Sequence, residues 1–177
     1  TPLVDSADAH GCKILLTVTS FGKKSNNLFL NDPSSVSIMI HDLIQTMETR
    51  KEADGVCLDF EGIYKRDKDE FSAFVKELKD SLSSHNPEYE IYLAVPSVDH
   101  NQVFDFTELN TVIDRTVIMA YGYGGKWSDH PEPISPIRAE GNNYSLVKTL
   151  DYYKKRVESN KLILALPTFG AFWDVTM

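Results

Sequence analysis

Five short apolar runs, separated by longer amphipathic stretches, most limit what this chain can fold into. They are residues 13–19 (KILLTVT), 55–60 (GVCLDF), 90–96 (EIYLAVP), 116–121 (TVIMAY) and 161–167 (KLILALP). Runs of this length, rich in Ile, Leu and Val, read as strands covered on both faces. Between them, residues 33–51 repeat Val36, Met39/Ile40, Leu43/Ile44 and Met47 at helical spacing, after an Asn31-Asp32-Pro33 start signal. Residues 67–83 do the same through Phe71, Phe74/Val75 and Leu78, and residues 144–159 through Leu146, Leu150, Tyr153 and Val157. A short helix over residues 106–113 joins the third run to the fourth. This rhythm of strand, helix and strand predicts an α/β fold with parallel strands and right-handed crossovers. A barrel and a doubly wound sheet are the two candidates, and five strands are too few for a whole (β/α)8 barrel of typically about 250 residues.

Composition narrows the function. Over 177 residues, 18 basic and 26 acidic side chains leave a formal charge of −8, without a basic stripe of the kind that binds phosphate backbones. Nucleic acid is therefore not an expected partner. With 42% hydrophobic residues the chain can bury one core, and no apolar run approaches the roughly 20 residues of a membrane-spanning helix. A soluble single domain is expected, with the oligomeric state unread. Cys12 and Cys57 cannot form a disulfide framework, and Cys57 reads as a small buried thiol. The chain opens Thr1-Pro2-Leu3 with no apolar leader, so no signal peptide is visible, and without an initiator Met it reads as a processed product or an excised piece.

The chemistry concentrates in residues 54–61, DGVCLDFE. Strand alternation puts Cys57, Asp59 and Glu61 on one face and Val56, Leu58 and Phe60 on the other. Two carboxylates at alternate positions of a core strand are costly unless they are paired or used, and neighbouring carboxylates separate each other's proton affinities. They would approach a substrate from the same side, about 6–7 Å apart along the strand. Pairing with Arg or Lys is the plain structural alternative. Asp54, near the strand's start, reads as a turn or cap residue. A magnesium site from Asp54, Asp59 and Glu61 is disfavoured, because only two of the three share a face. The five histidines are scattered and form no zinc-type cluster. No metal or other cofactor is expected. Trp127 and Trp173 follow strands, where they can either line a binding site or simply pack.

Residues 54–61 resemble the DxxDxDxE signature of glycoside hydrolase family 18, the chitinase-like family. In order, residues 13–19 are similar to its KVLLSIGG strand, with Thr17 for the serine; Met119-Ala120-Tyr121 to its MxYD strand; and KLILALPTFGAFW, at 161–173, to its KLxLGLPxYGxxW strand. The Gly/Pro-rich stretch 121–137, with Glu61-Gly62-Ile63 and Arg66-Asp67, resembles the peptidoglycan- and spore-cortex-lytic branch. The resemblance implies a TIM (β/α)8 barrel of which residues 1–177 form a partial catalytic domain, about strands 3 to 7, with strands 1, 2 and 8 outside it. It implies retaining, substrate-assisted hydrolysis of β-1,4 bonds in N-acetylglucosamine-containing polysaccharide, chitin or peptidoglycan. Glu61 would be acid and base, Asp59 would hold the substrate's acetamide, Tyr121 would hydrogen-bond its carbonyl, and Thr17, Met119, Tyr123 and Trp173 would contact the sugar. An extracellular or cell-envelope location is implied as well. Cys57 replaces the family's Asp or Asn, and Gly122 its acidic residue after the Tyr. Both departures admit a catalytically weakened, carbohydrate-binding relative, and a scaffold domain that keeps the fold only for shape is a third possibility.

Overall fold

The computed structural model describes residues 2–139 and 144–174; Thr1 and residues 175–177, at the ends of the expected domain, lie outside the described residues. The elements, in order, are α1 (Pro2–Ala9), β1 (Leu15–Phe21), α2 (Lys23–Leu30), α3 (Pro33–Thr49), β2 (Gly55–Glu61), α4 (Lys68–His85), β3 (Glu90–Pro96), α5 (Phe106–Leu109), β4 (Arg115–Met119), α6 (Leu146–Lys154) and β5 (Leu162–Ala165). All strand pairs are parallel, and the sheet runs β1-β2-β3-β4-β5. A doubly wound sheet reverses its strand order at a switch point. Here each strand lies beside its predecessor throughout, which is the winding of a barrel. The fold is α/β, an arc of five consecutive strands of a (β/α)8 barrel.

The longer helices form for the reasons their sequences announce. Asp32 caps α3, accepting from the Ser34 N–H at 3.1 Å and the Ser35 hydroxyl at 2.7 Å, with Pro33 in the first turn. Its stripe of Val36, Ile40, Leu43, Ile44 and Met47 is buried. On α4 the buried stripe is Phe71, Phe74, Val75, Leu78 and Leu82. These faces close over Val56, Leu58 and Phe60 of β2 and Ile91, Leu93 and Val95 of β3. At the centre lies a chain of rings, with Phe29 on Phe74 at 5.4 Å, Phe60 on Phe71 at 5.8 Å and Phe71 on Phe104 at 5.7 Å. Aromatic pairs at such distances add about 0.5–1.5 kcal/mol each beyond the area they bury.

Two expectations change. The edge strands are covered on one face, not both: the concave face is open there, with Phe21 61% and Ile163 37% exposed, whereas Ala94 of β3 is buried on it. Cys57 lies on that face and is half-buried. Two helices were not anticipated, α1 and α2. In α2 only Asn26 and Leu30 are buried, so KKSNNLFL has no apolar stripe to betray it.

Candidate active site

The concave face takes its side chains from alternate strand positions, and register decides which of them meet. Thr19 pairs with Asp59 and Phe21 with Glu61 at the carboxyl ends of β1 and β2. Thr17 pairs with Cys57 one step below, so the threonine beside Asp59 is Thr19. Met119 ends β4, paired with Pro96 and with Ala165. Tyr121 lies two residues past the end of β4, and the rings of Tyr121 and Phe169 meet edge to face at 5.9 Å.

Asp59 and Glu61 share the face that alternation assigned them. Asp59 is half-buried, and its Oδ1 has no hydrogen-bond partner among the described residues. Loss of solvent raises its carboxyl above the ordinary carboxylate range. Glu61 is raised as well, by loss of solvent first and by the negative charge of Asp59 second. Burial pushes the Tyr121 hydroxyl up, with Asp59 and then Glu61 adding to it, so the tyrosine sits within the field of both carboxylates. The half-buried Cys57 thiol is pushed up by burial and then by Asp59, and offers only a weak donor.

A pocket of about 180 Å³ adjoins Glu61. Its walls include Glu61, Gly62, Pro96, Asp99 and His100, but neither Asp59 nor Tyr121. The His100 ring is held edge-on by Tyr144 at 5.2 Å. A larger cleft, about 490 Å³, opens near Lys65, Phe106 and Arg156 and holds none of the predicted site residues.

Other predicted residues fall elsewhere. The Tyr123 hydroxyl donates to Thr149 Oγ1 at 2.7 Å, and the Thr149 hydroxyl donates to Ser97 O at 2.7 Å, which ties the loop after β4 to α6. That loop is pinned again where Ser135 Oγ donates to Ala120 O at 2.6 Å. Trp173 is half-buried beyond β5, and Trp127 is 66% exposed in the loop. Gly122 has φ of +73°, a left-handed backbone that a side chain would strain, although a Cβ there would meet nothing. Asp54 Oδ2 accepts from the Ile14 N–H at 2.7 Å, joining the starts of β1 and β2. Among the described residues no three His, Cys, Asp or Glu side chains converge as a metal site, and no helix is long and apolar enough to cross a membrane.

Sequence reasoning missed Thr19, Phe169 and Asn26. The order PTFG directly after the fifth apolar run was the available signal for Phe169. Asn26 carried none, because its meaning lies in what it touches. It is fully buried, and its Nδ2 donates to Glu61 O at 2.7 Å.

Residues 4–177 match the family described as Glycosyl hydrolases family 18. YdhD of Bacillus subtilis (strain 168), named as a sporulation-specific glycosylase, is 26% identical over 165 residues, which are 90% of this chain and 37% of that protein. Its crystal structure aligns with a TM-score of 0.76 at 24% identity, covering 94% of this chain and 55% of that one. The spore cortex-lytic enzyme SleL of Bacillus megaterium QM B1551 aligns at 0.76 and 18% identity, covering 93% and 38%. An immunomodulatory active chitinase from Trichuris suis aligns at 0.82 and 18% identity, covering 94% and 50%. The chain thus spans little more than a third of the curated relative's length, and the solved structures, all below 25% identity, bear on the fold. With the family matched from residue 4 to residue 177, this chain belongs to glycoside hydrolase family 18, with similarity to its spore-cortex-lytic branch.

Proposed function

We propose that residues 1–177 are part of one catalytic domain that hydrolyses β-1,4 bonds in N-acetylglucosamine-containing polysaccharide with retention, using the substrate's own acetamide as nucleophile. Glu61 protonates the glycosidic oxygen while the acetamide carbonyl oxygen attacks the anomeric carbon. Asp59 accepts the acetamide N–H and balances the cyclic cation, and the Tyr121 hydroxyl donates to the acetamide oxygen. Glu61 then takes a proton from the water that opens the ring. The observation that carries this reading is the partnerless Asp59 Oδ1, a buried acceptor on the same face as a carboxyl whose proton is retained to higher pH than usual. An orphaned buried acceptor costs about 1–3 kcal/mol, which an incoming N–H recovers.

The pocket beside Glu61 touches the proton donor and neither group that attends the acetamide, so it suits the departing sugar. In this reading Met119, Trp173 and Phe169 contact the donor sugar, and Thr17, opposite Cys57, lies a step below Asp59. Peptidoglycan is the favoured polymer, because relatives carry sporulation and cortex-lytic names. Action at the cell envelope or outside the cell follows from that substrate. No metal or other cofactor takes part in this scheme.

A second reading, sugar binding with little turnover, is favoured by Cys57 and Gly122, which stand where the family has hydrogen-bonding and acidic residues. The two part in one experiment. The full-length protein and its Glu61→Gln variant are incubated with N-acetylglucosamine oligomers and peptidoglycan glycan strands. Cleavage by the parent and a loss of about 10²–10⁴-fold in the variant are expected. Binding without cleavage by the folded parent favours the second reading.

A further inference from the structure

The acid in a glycosidase must sit within hydrogen-bond reach of the leaving oxygen, and an error of about 1 Å costs on the order of 10²-fold. Glu61 is poorly placed to be rigid by strand pairing alone. It is the last residue of β2, and the ladder from β2 to β3 stops at Leu58↔Leu93, three residues earlier. Beyond Leu58, the strand pairing among the described residues continues with β1 alone, through Phe21↔Glu61 at the very end.

Two donors on the β1 side meet the Glu61 carbonyl. The Gly22 N–H reaches it at 3.0 Å and Asn26 Nδ2 at 2.7 Å. Asn26 is fully buried on α2, a helix that buries only one other residue, Leu30. A buried amide there must be satisfied atom by atom, whereas an apolar residue would pack at no such cost. It is satisfied: Ser20 Oγ donates to Asn26 Oδ1 at 2.6 Å, which leaves the Nδ2 to face the Glu61 carbonyl. A fixed amide thus adds a second hold on the β1 side to a strand end that β3 does not pair.

Resting on the acid role proposed for Glu61, we infer that Asn26, oriented by Ser20, is a positioning residue that fixes the end of β2 so that the Glu61 carboxyl meets the leaving oxygen. The alternative is that Asn26 merely fastens α2 to the sheet. Leaving-group dependence separates them, because a misplaced acid harms only substrates whose leaving group must be protonated.

The test compares kcat/KM of the full-length protein and its Asn26→Ala variant on two substrates. One is an N-acetylglucosamine oligomer, whose departing sugar needs a proton. The other is a 2,4-dinitrophenyl N-acetylglucosaminide, whose phenolate leaves unaided. The expected result is a loss of roughly 10²-fold on the oligomer with the dinitrophenyl substrate nearly unaffected, and a smaller loss of the same pattern in Ser20→Ala. Equal losses on both substrates, or none on either, would overturn the inference. If Asn26→Ala does not fold, Asn26→Asp, which keeps the size but loses the donor when ionised, is read by the same two outcomes. No cleavage of either substrate by the parent would overturn the acid role of Glu61 and this role with it. Cleavage by the parent with an unchanged leaving-group profile in the variants overturns this role alone.

Discussion

At the scale of single residues, the chain holds Asp59 and Glu61 at a cost to its own stability. Both carboxyls bind protons more readily in the folded chain than in the unfolded one. Between the ordinary carboxylate range and the raised values, the folded state therefore carries more protons. Stability then falls as pH rises through that window and levels off above it. Glu61→Gln removes one such penalty. It is expected to unfold at a higher temperature than the parent at pH 7, with the advantage vanishing below about pH 4. Thermal unfolding across a pH series checks this, and a variant less stable than the parent at neutral pH would contradict it. The shared face of Asp59 and Glu61 was legible in the sequence because strand alternation assigns it without any knowledge of packing. Thr19, not Thr17, stands beside Asp59 through a register that only the β1–β2 ladder sets. Asn26 was invisible for the related reason that its role is defined by a carbonyl 35 positions away.

At the scale of elements, strand existence was plain and strand ends were not. The first run was expected to begin at Lys13, but β1 starts at Leu15, where the Ile14 N–H is taken by the Asp54 side chain. The fourth run was expected to reach Tyr121, but β4 ends at Met119 and the Tyr121 N–H turns back to Met119 O at 2.8 Å. Helix α2 escaped because its few apolar residues cluster at one end instead of forming a stripe. Gly55 illustrates a constraint that composition hides. A Cβ there would lie 2.1 Å from Glu90 O in the neighbouring strand, a backbone atom that can retreat only by parting β2 from β3. Gly55→Ala is expected to destabilise by about 1–3 kcal/mol, within the range of overpacked interiors. The midpoint of urea unfolding measures it, and an unchanged midpoint would show that the two strands are free to separate.

At the scale of the whole molecule, the winding of the sheet does most to create the site. Parallel strands in sequential order bring every carboxyl end to one rim, so residues as distant as 59, 61, 121 and 169 share it. That order was legible from the rhythm of apolar runs and helices. The open concave face was not, because a run of Ile, Leu and Val reads the same whether one side or both are covered. What the rim does chemically is tested most directly by the stereochemistry of its product. The full-length protein is mixed with a chitin-type pentasaccharide, and the anomeric protons of the first products are followed by NMR before mutarotation, with Glu61→Gln as control. The account predicts β-anomer first and product from the variant slowed by at least about 10²-fold. Initial α-anomer, or hydrolysis undiminished in Glu61→Gln, would contradict it.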